Sequence, residues 1–369
     1  ETGSSSMKKI VFITVHVGSN FGSVLQTFAT YYILTNMGYD VSVLNYIPPR
    51  VTIEGFFRNR KGICRKLRAL IGLPIVLLNK RIYGGFIDKY CKLTKPYYNI
   101  KTIKEEIPEA DIYITGSDQV WNSSHNEGID EMYYFTFLPK GSRVISLASS
   151  FGKELLEKEE VAIIKGFLDN YRYLSVREES GRRILNSLGF NDVIHLIDPT
   201  FLLSKEIWKK ILVKRQLINY PYLLLYLPYN IVSKDIIYAS ARRIADRYNL
   251  KLVTFSWDVR KEKQADKTLF FTSPSEFLAL MFYADYVITN SFHGTAFSIN
   301  LNKQFFVYQP SAFSTRISDI LYLMGLEKRY VTGTVPIDEL CETIDYSSVN
   351  KILEEERKKV EKYLCRALK

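Results

Sequence analysis

From residue 10 onward, apolar runs of strand length alternate with stretches of helical periodicity almost to the end of the chain. That alternation restricts the fold to βα units carrying parallel sheets, and neither an all-β nor an all-α arrangement produces it. A first set of strands is expected over 10–15, 41–44, 111–115, 144–148, 173–176 and 193–197, with a helix over 22–37 closed by Gly38. A second set opens with the continuous apolar run 222–227 just after Pro221, the pattern of a buried central strand. It continues with a helix over 234–248, a strand over 251–255, a helix over 274–283 and a strand over 286–289. Ser273, Pro274 and Glu276 supply a start signal for the helix at 274: a capping hydroxyl, proline at the first position and an acid in the first turn. The chain has 369 residues, 47% of them hydrophobic, which is enough for two domains each with its own core. The expected division is 7–204, 220–345 and a charged amphipathic tail helix, 346–369, that could pack across both domains.

Residues 1–6 precede a Met-Lys-Lys-Ile start and read as added sequence, with Met7 the natural beginning. A strand beginning at residue 10 leaves no room for a secretory leader, so a cytoplasmic location is expected. Cys64, Cys91, Cys341 and Cys365 are widely spaced and form no metal-type pair, as suits reduced thiols.

The net charge is +11, and much of it has an address. Between Glu54 and Asp88 there is no acid, yet Arg58, Arg60, Lys61, Arg65, Lys66, Arg68, Lys80 and Arg81 fall there among many apolar residues. Residues 56–81 therefore suit the anionic inner face of the cell membrane, or equally a core helix with a solvated basic face. Nucleic acid is not expected as a partner, because no nucleic-acid module accompanies the stretch.

Four segments carry candidate chemistry. Strand 286–289 runs through Asn290, Ser291, Phe292, His293, Gly294 and Thr295 into a helical pattern, and ligands bind beyond the carboxyl ends of parallel strands. No Asp or Glu occurs between Asp285 and Asp319, a window holding His293, Lys303 and Arg316, so a pocket built from it favours a multiply negative ligand. Thr115-Gly-Ser-Asp-Gln-Val-Trp-Asn122 follows another strand. There Asp118 either accepts a proton from a sugar hydroxyl or caps a helix, and Trp121 either faces a sugar ring or belongs to the core. Ser175-Val-Arg-Glu-Glu-Ser-Gly181 places Arg177 at a strand end, where its guanidinium either grips an anion or pairs with Glu178 or Glu179. Asn20 and Gln26, after the first strand, form a helix-start signal that could face a cleft. There is no P-loop lysine motif, no Gly-x-Gly-x-x-Gly after the first strand, no His-Glu-x-x-His and no paired-cysteine cluster, so neither a nicotinamide cofactor nor a metal is expected.

Taken in order, Asn20-Phe-Gly22 with Leu25-Gln26, the Thr115–Asn122 and Ser175–Gly181 segments, Asp198-Pro-Thr200 and Asn290-Ser-Phe-His-Gly294 resemble the polysaccharide pyruvyl transferase family, with Arg316–Leu321 and Arg329 similar to its C-terminal signature. The resemblance implies a fold like the GT-B glycosyltransferases, two Rossmann-like domains with parallel sheets facing across a cleft. It implies phosphoenolpyruvate as donor substrate, no cofactor, and a lipid-linked oligosaccharide or polysaccharide as acceptor. On it, His293 donates a proton or contacts phosphate, and Asp118 activates an acceptor hydroxyl. Arg177 and Arg316 hold the donor anions, with Asn290, Ser291, Phe292, Gly294, Thr295 and Lys303 around them. Asn20, Gln26, Gln119, Trp121 and Asn122 meet the glycan. A nucleotide-sugar glycosyltransferase of the same fold and a non-catalytic glycan-assembly protein are the alternatives.

Overall fold

The computed structural model describes residues 7–58, 62–229, 233–310, 315–332 and 342–369. Residues 1–6, Arg60, Lys61 and Cys341, used in the sequence reading, lie outside the described residues, as does the Arg68 side chain. The chain divides into two compact units. One holds the described residues up to Leu73, Gly84–Leu202 and Lys358–Lys369; the other holds Pro74–Tyr83 and Leu203–Arg357.

Each unit is built on a six-stranded parallel sheet, so the fold is the α/β class with two Rossmann-like units. In the first unit the strands are β1 Lys9–Ile13, β2 Asp40–Val43, β3 Ile112–Thr115, β4 Val144–Ser146, β5 Tyr171–Val176 and β6 Val193–His195, in the order β2-β1-β3-β4-β5-β6. In the second they are β7 Tyr222–Tyr226, β8 Lys251–Ser256, β9 Lys267–Phe270, β10 Tyr286–Thr289, β11 Gln304–Tyr308 and β12 Tyr330–Val331, in the order β12-β11-β10-β7-β8-β9. Every residue of β7 is buried, as a strand covered on both faces requires. In both sheets the first strand lies inside the order, so successive connections depart to opposite sides. The switch points fall between β1 and β3 and between β7 and β10.

The helices start and stop where their ends are chemically satisfied. Asn20 caps Phe21–Asn36 by accepting from Ser23 N at 3.1 Å. The Ser273/Glu276 capping box opens Pro274–Tyr283, with Pro274 in the first turn. The C-terminal end of that helix is closed by Lys303, whose ammonium donates to Phe282 O and, at 2.9 Å, to Ala284 O. A cation there meets the negative end of the helix dipole. Lys303 leads into β11, at the end of the sheet opposite the carboxyl ends, so the expected donor contact is corrected: this lysine is a helix cap. Burial pulls its amine down to about 8, with Asp285 opposing the shift and Lys205 adding to it.

Helix Tyr346–Ala367 is the expected tail helix and supplies residues to both units. Arg357 donates to Asn300 Oδ1 at 2.8 Å within the second unit, and Tyr363 donates to Ser146 O at 2.6 Å within the first. Helix Ile63–Tyr90 likewise gives its middle to the second unit, while Phe86 and Tyr90 pack on Phe28 in the first.

β10 passes directly into helix Phe292–Asn300, and the approach depends on Gly294. A Cβ at 294 would lie 2.2 Å from Thr289 Oγ1 and 2.9 Å from Tyr226 Cδ1. Thr289 has little freedom to yield, because its hydroxyl donates to Tyr226 O at 2.7 Å and accepts from Ser291 N at 3.1 Å. Gly294→Ala is therefore expected to cost about 1–3 kcal/mol through overpacking, read as a lower urea midpoint at unchanged slope.

Lys303 yields a second expectation, with its sign fixed by linkage. Its folded pKa lies below the unfolded value, so the unfolded chain binds more protons between about pH 8 and 10.5, and stability rises with pH across that window. Comparing Lys303→Met with the parent chain by urea unfolding at both ends should show the parent gaining about 2 kcal/mol relative to the variant between about pH 8 and pH 10. Parallel pH profiles would refute the burial of a titrating amine.

Candidate active site

The first unit's switch point gathers residues from the ends of β1, β3, β5 and β6. Beyond β1, Gln26 Nε2 donates to Thr14 Oγ1 at 2.8 Å and Ser23 O at 3.0 Å. Gln26 is wholly buried, so the expected glycan contact is corrected: its amide ties the β1 loop to its helix. Asn20, spent as the helix cap, stays half-buried at the loop surface. His16, absent from the sequence reading, sits here with Nδ1 3.3 Å from Thr14 O and Nε2 3.2 Å from Asn45 Oδ1. Burial holds its pKa below the usual imidazole value, against those two hydrogen bonds and the Asp88 charge.

Beyond β3, Gly116 donates to Ile13 O at 2.7 Å, and a Cβ there would stand 3.2 Å from the same oxygen. Asp118 follows with φ +69°, a left-handed conformation that is unfavourable for a residue with a side chain. Contacts from several elements hold it there, Val120 N donating to its carbonyl at 2.8 Å among them. Its Oδ2 accepts from Ser23 Oγ at 2.7 Å, its Oδ1 faces Arg177 Nη2 at 3.4 Å, and its carbonyl accepts from Ser150 N at 3.1 Å.

Arg177, at the end of β5, is shared. Its Nη1 meets Asp198 Oδ2 at 2.6 Å, an oxygen that also accepts from Ser117 Oγ at 3.0 Å, while Asp198 Oδ1 takes Thr200 N and Oγ1 at 2.9 and 2.7 Å. The Arg177 and Asp198 side chains are 1% and 0% exposed, and Asp118, at 8%, is the triad member that reaches solvent. Burial pushes the guanidinium pKa down, but Asp198 and then Asp118 more than offset it and hold it above its ordinary value. The expected grip of Arg177 on a donor anion is corrected: Asp118 and Asp198 occupy its fork, and the guanidinium is spent on them. The neighbouring Glu178 Oε1 accepts from Phe151 N, Gly152 N and Ser150 Oγ at 2.9, 3.1 and 3.0 Å, fastening the β5 end to the loop after β4.

Of the other residues assigned to the glycan, Trp121 is 1% exposed, stacked on Tyr134 at 5.7 Å between ring centroids and flanked by Phe151 and Tyr171. Of its two readings the core one holds, because three aromatic neighbours leave no open face. Asn122 is buried and donates to Gln119 Oε1 at 2.6 Å, and Gln119 is half-buried. Gly152, at φ +59°, packs on this pair, where a Cβ would come within 2.7 Å of both amides.

The second unit's switch point is organised by Asn290. Its Nδ2 donates to Tyr229 O at 2.8 Å and its Oδ1 accepts from Tyr229 N at 3.4 Å, locking the β7 and β10 loops together. Ser291 caps the following helix, accepting from Gly294 N at 3.3 Å, and Thr295 Oγ1 donates back to Ser291 O at 2.8 Å. Asn290, Ser291, Gly294 and Thr295 thus build the turn. His293, itself buried at 5% exposure, stands edge-on to Phe292 at 5.1 Å, and half-buried Arg316, from the separate helix Thr315–Leu323, has its guanidinium 5.5 Å over the Phe292 ring. Each stands in the first turn of its own helix, where the dipole favours negative charge, within a sequence window that holds no acid until Asp319.

In the same unit, beyond β7 and β8, a cavity of about 810 Å³ is lined by Tyr229, Tyr238, Trp257, Lys234, Arg260 and Lys261 among others. Lys234 is paired with Glu262, and Arg260 with Asp258 at 3.3 Å. The sequence reading missed it, although Ser256-Trp-Asp-Val-Arg-Lys261 directly after a strand carries the signal: an aromatic and several charges where ligands bind.

Solved structures resemble the whole chain. A UDP-N-acetylglucosamine 2-epimerase superposes with a TM-score of 0.58 at 8% identity, covering 98% of this chain and 97% of that one. The Methanocaldococcus jannaschii UDP-GlcNAc 2-epimerase in complex with UDP-GlcNAc and UDP gives 0.50 at 13% identity, covering 95% and 93%. The Rickettsia bellii UDP-N-acetylglucosamine 2-epimerase gives 0.50 at 12%, covering 98% and 96%. At these identities the likeness is one of fold, the GT-B-like arrangement. No curated protein matches. The profile of one family, described as Polysaccharide pyruvyl transferase, matches residues 20–311, from the Asn20 cap to just beyond β11, and on that match the chain belongs to the polysaccharide pyruvyl transferase family.

Proposed function

We propose that the protein moves pyruvate from phosphoenolpyruvate onto two hydroxyls of a sugar, forming a cyclic ketal in a bacterial surface polysaccharide or its lipid-linked precursor at the cytoplasmic side of the membrane. Family membership supports pyruvyl transfer to a glycan, and the observation that carries the donor is that His293 and Arg316, each in the first turn of its own helix, both contact the Phe292 ring. Phosphoenolpyruvate bears a phosphate and a carboxylate, both matched by a guanidinium and helix N–H groups. Ketal formation protonates the methylene carbon, leaves a cation at the adjoining carbon, adds one sugar hydroxyl there, expels phosphate and closes with the second hydroxyl. The proton gained by the methylene balances that lost by the first hydroxyl, and the second hydroxyl's proton leaves with phosphate. His293 is assigned proton donation to the methylene or contact with the phosphate. Asp118 is assigned the acceptor hydroxyl: it stands beyond the carboxyl end of β3, and its side chain, 8% exposed, is the least buried of the three. Arg177 acts through Asp118, as a positioning residue.

The assignments separate in binding and turnover. Calorimetric titration with phosphoenolpyruvate should show Arg316→Ala weakening affinity at least tenfold and Asp118→Asn leaving it unchanged. Phosphate release with a panel of lipid-linked oligosaccharides should fall about 10²- to 10⁴-fold in both Asp118→Asn and His293→Asn, with unchanged circular dichroism. Undiminished turnover in His293→Asn would remove that residue from the mechanism, and binding of a UDP sugar in place of phosphoenolpyruvate would favour the nucleotide-sugar transferase.

A further inference from the structure

Helix Ile63–Tyr90 is apolar on two opposite faces, and one is exposed. On one side Ala69, Asn79, Tyr83, Phe86 and Ile87 are buried. On the other, Leu67, Leu70, Ile71, Leu77 and Leu78 are 56%, 57%, 79%, 40% and 43% exposed. With exposed Pro74 they recur at intervals of three and four, a single stripe along the helix. Exposed large apolar side chains are common singly, but a continuous row of them marks a contact surface. The helix is also long and apolar enough to cross a bilayer, with only 22% of its most apolar window buried. Spanning is inconsistent with the opposite face, whose Tyr83, Phe86 and Ile87 are packed against protein.

Charge selects the occupant. Arg81 lies in the stripe, exposed Arg65 and Lys66 precede it, and no acid occurs from residue 55 to residue 87. A second copy of the chain seated on this face would bring like charges together. An anionic bilayer matches both properties, taking leucine and isoleucine into the interface while arginine and lysine stay among the headgroups. We propose that helix Ile63–Tyr90 docks the protein on an anionic membrane surface, lying in the interfacial plane through the Leu67–Leu78 stripe. The inference is independent of the transfer reaction.

The test is flotation of the full chain with vesicles of phosphatidylcholine alone or mixed with phosphatidylglycerol. The parent chain should bind the mixed vesicles at least tenfold more tightly, and less so as salt is raised. Leu70→Glu/Ile71→Glu should stay folded by circular dichroism, both sites being exposed, and lose binding at least a hundredfold. Arg65→Ser/Lys66→Ser/Arg81→Ser should weaken it roughly a hundredfold, at about fivefold per cation. Absence of flotation, equal binding to neutral vesicles, or full binding by either variant would overturn the proposal. So would a parent dimer, seen by light scattering, that Leu70→Glu/Ile71→Glu dissolves while vesicles remain unbound. Should the glutamate variant misfold, the serine variant decides alone.

Discussion

The first unit turns on one guanidinium. Arg177 stands between Asp118 and Asp198 with almost no access to water, and those three residues sit beyond the ends of β5, β3 and β6. Buried charges are costly unless each finds its counterpart, and here the polar atoms of Ser23, Ser117 and Thr200 take up further carboxylate lone pairs. The arrangement also holds Asp118 in a left-handed backbone conformation, φ +69°, that is uncommon outside glycine, asparagine and aspartate. The least buried of the three is Asp118, its side chain 8% exposed.

The two switch points have opposite character. In the first, one guanidinium is shared between two carboxylates with serine and threonine hydroxyls around them. In the second, the turn is made from neutral amide and hydroxyl groups, and the ionisable residues beside it are a histidine and an arginine.

Much of this was legible in the sequence because strand length, helix period and capping chemistry are local. Strands such as β7 and β10 announce themselves as continuous apolar runs, and Ser273-Pro-Ser-Glu276 opens a helix as written. β9 was missed, since Lys-Thr-Leu-Phe at a half-exposed edge needs no apolar face, while β11 was passed over although its run reads plainly. Residue type located the chemistry but not its orientation. Trp121, Gln26 and Lys303 are as plausible at a ligand as in a core or a cap, and only packing from elsewhere in the chain decides. The same holds for Arg177, whose partners lie 59 and 21 residues away.

The Thr289 hydroxyl fills the space a methyl group at 294 would need, while serving as donor to one strand and acceptor for the next turn. These two positions share a single volume, so neither can drift by itself. A larger residue at 294 needs both Thr289 and the Tyr226 ring to yield, and exchanging the threonine gives up the hydroxyl that steadies the turn before His293. Variation at 294 is thus coupled to positions 289 and 226 together, and the turn leading into His293 is inherited as a block.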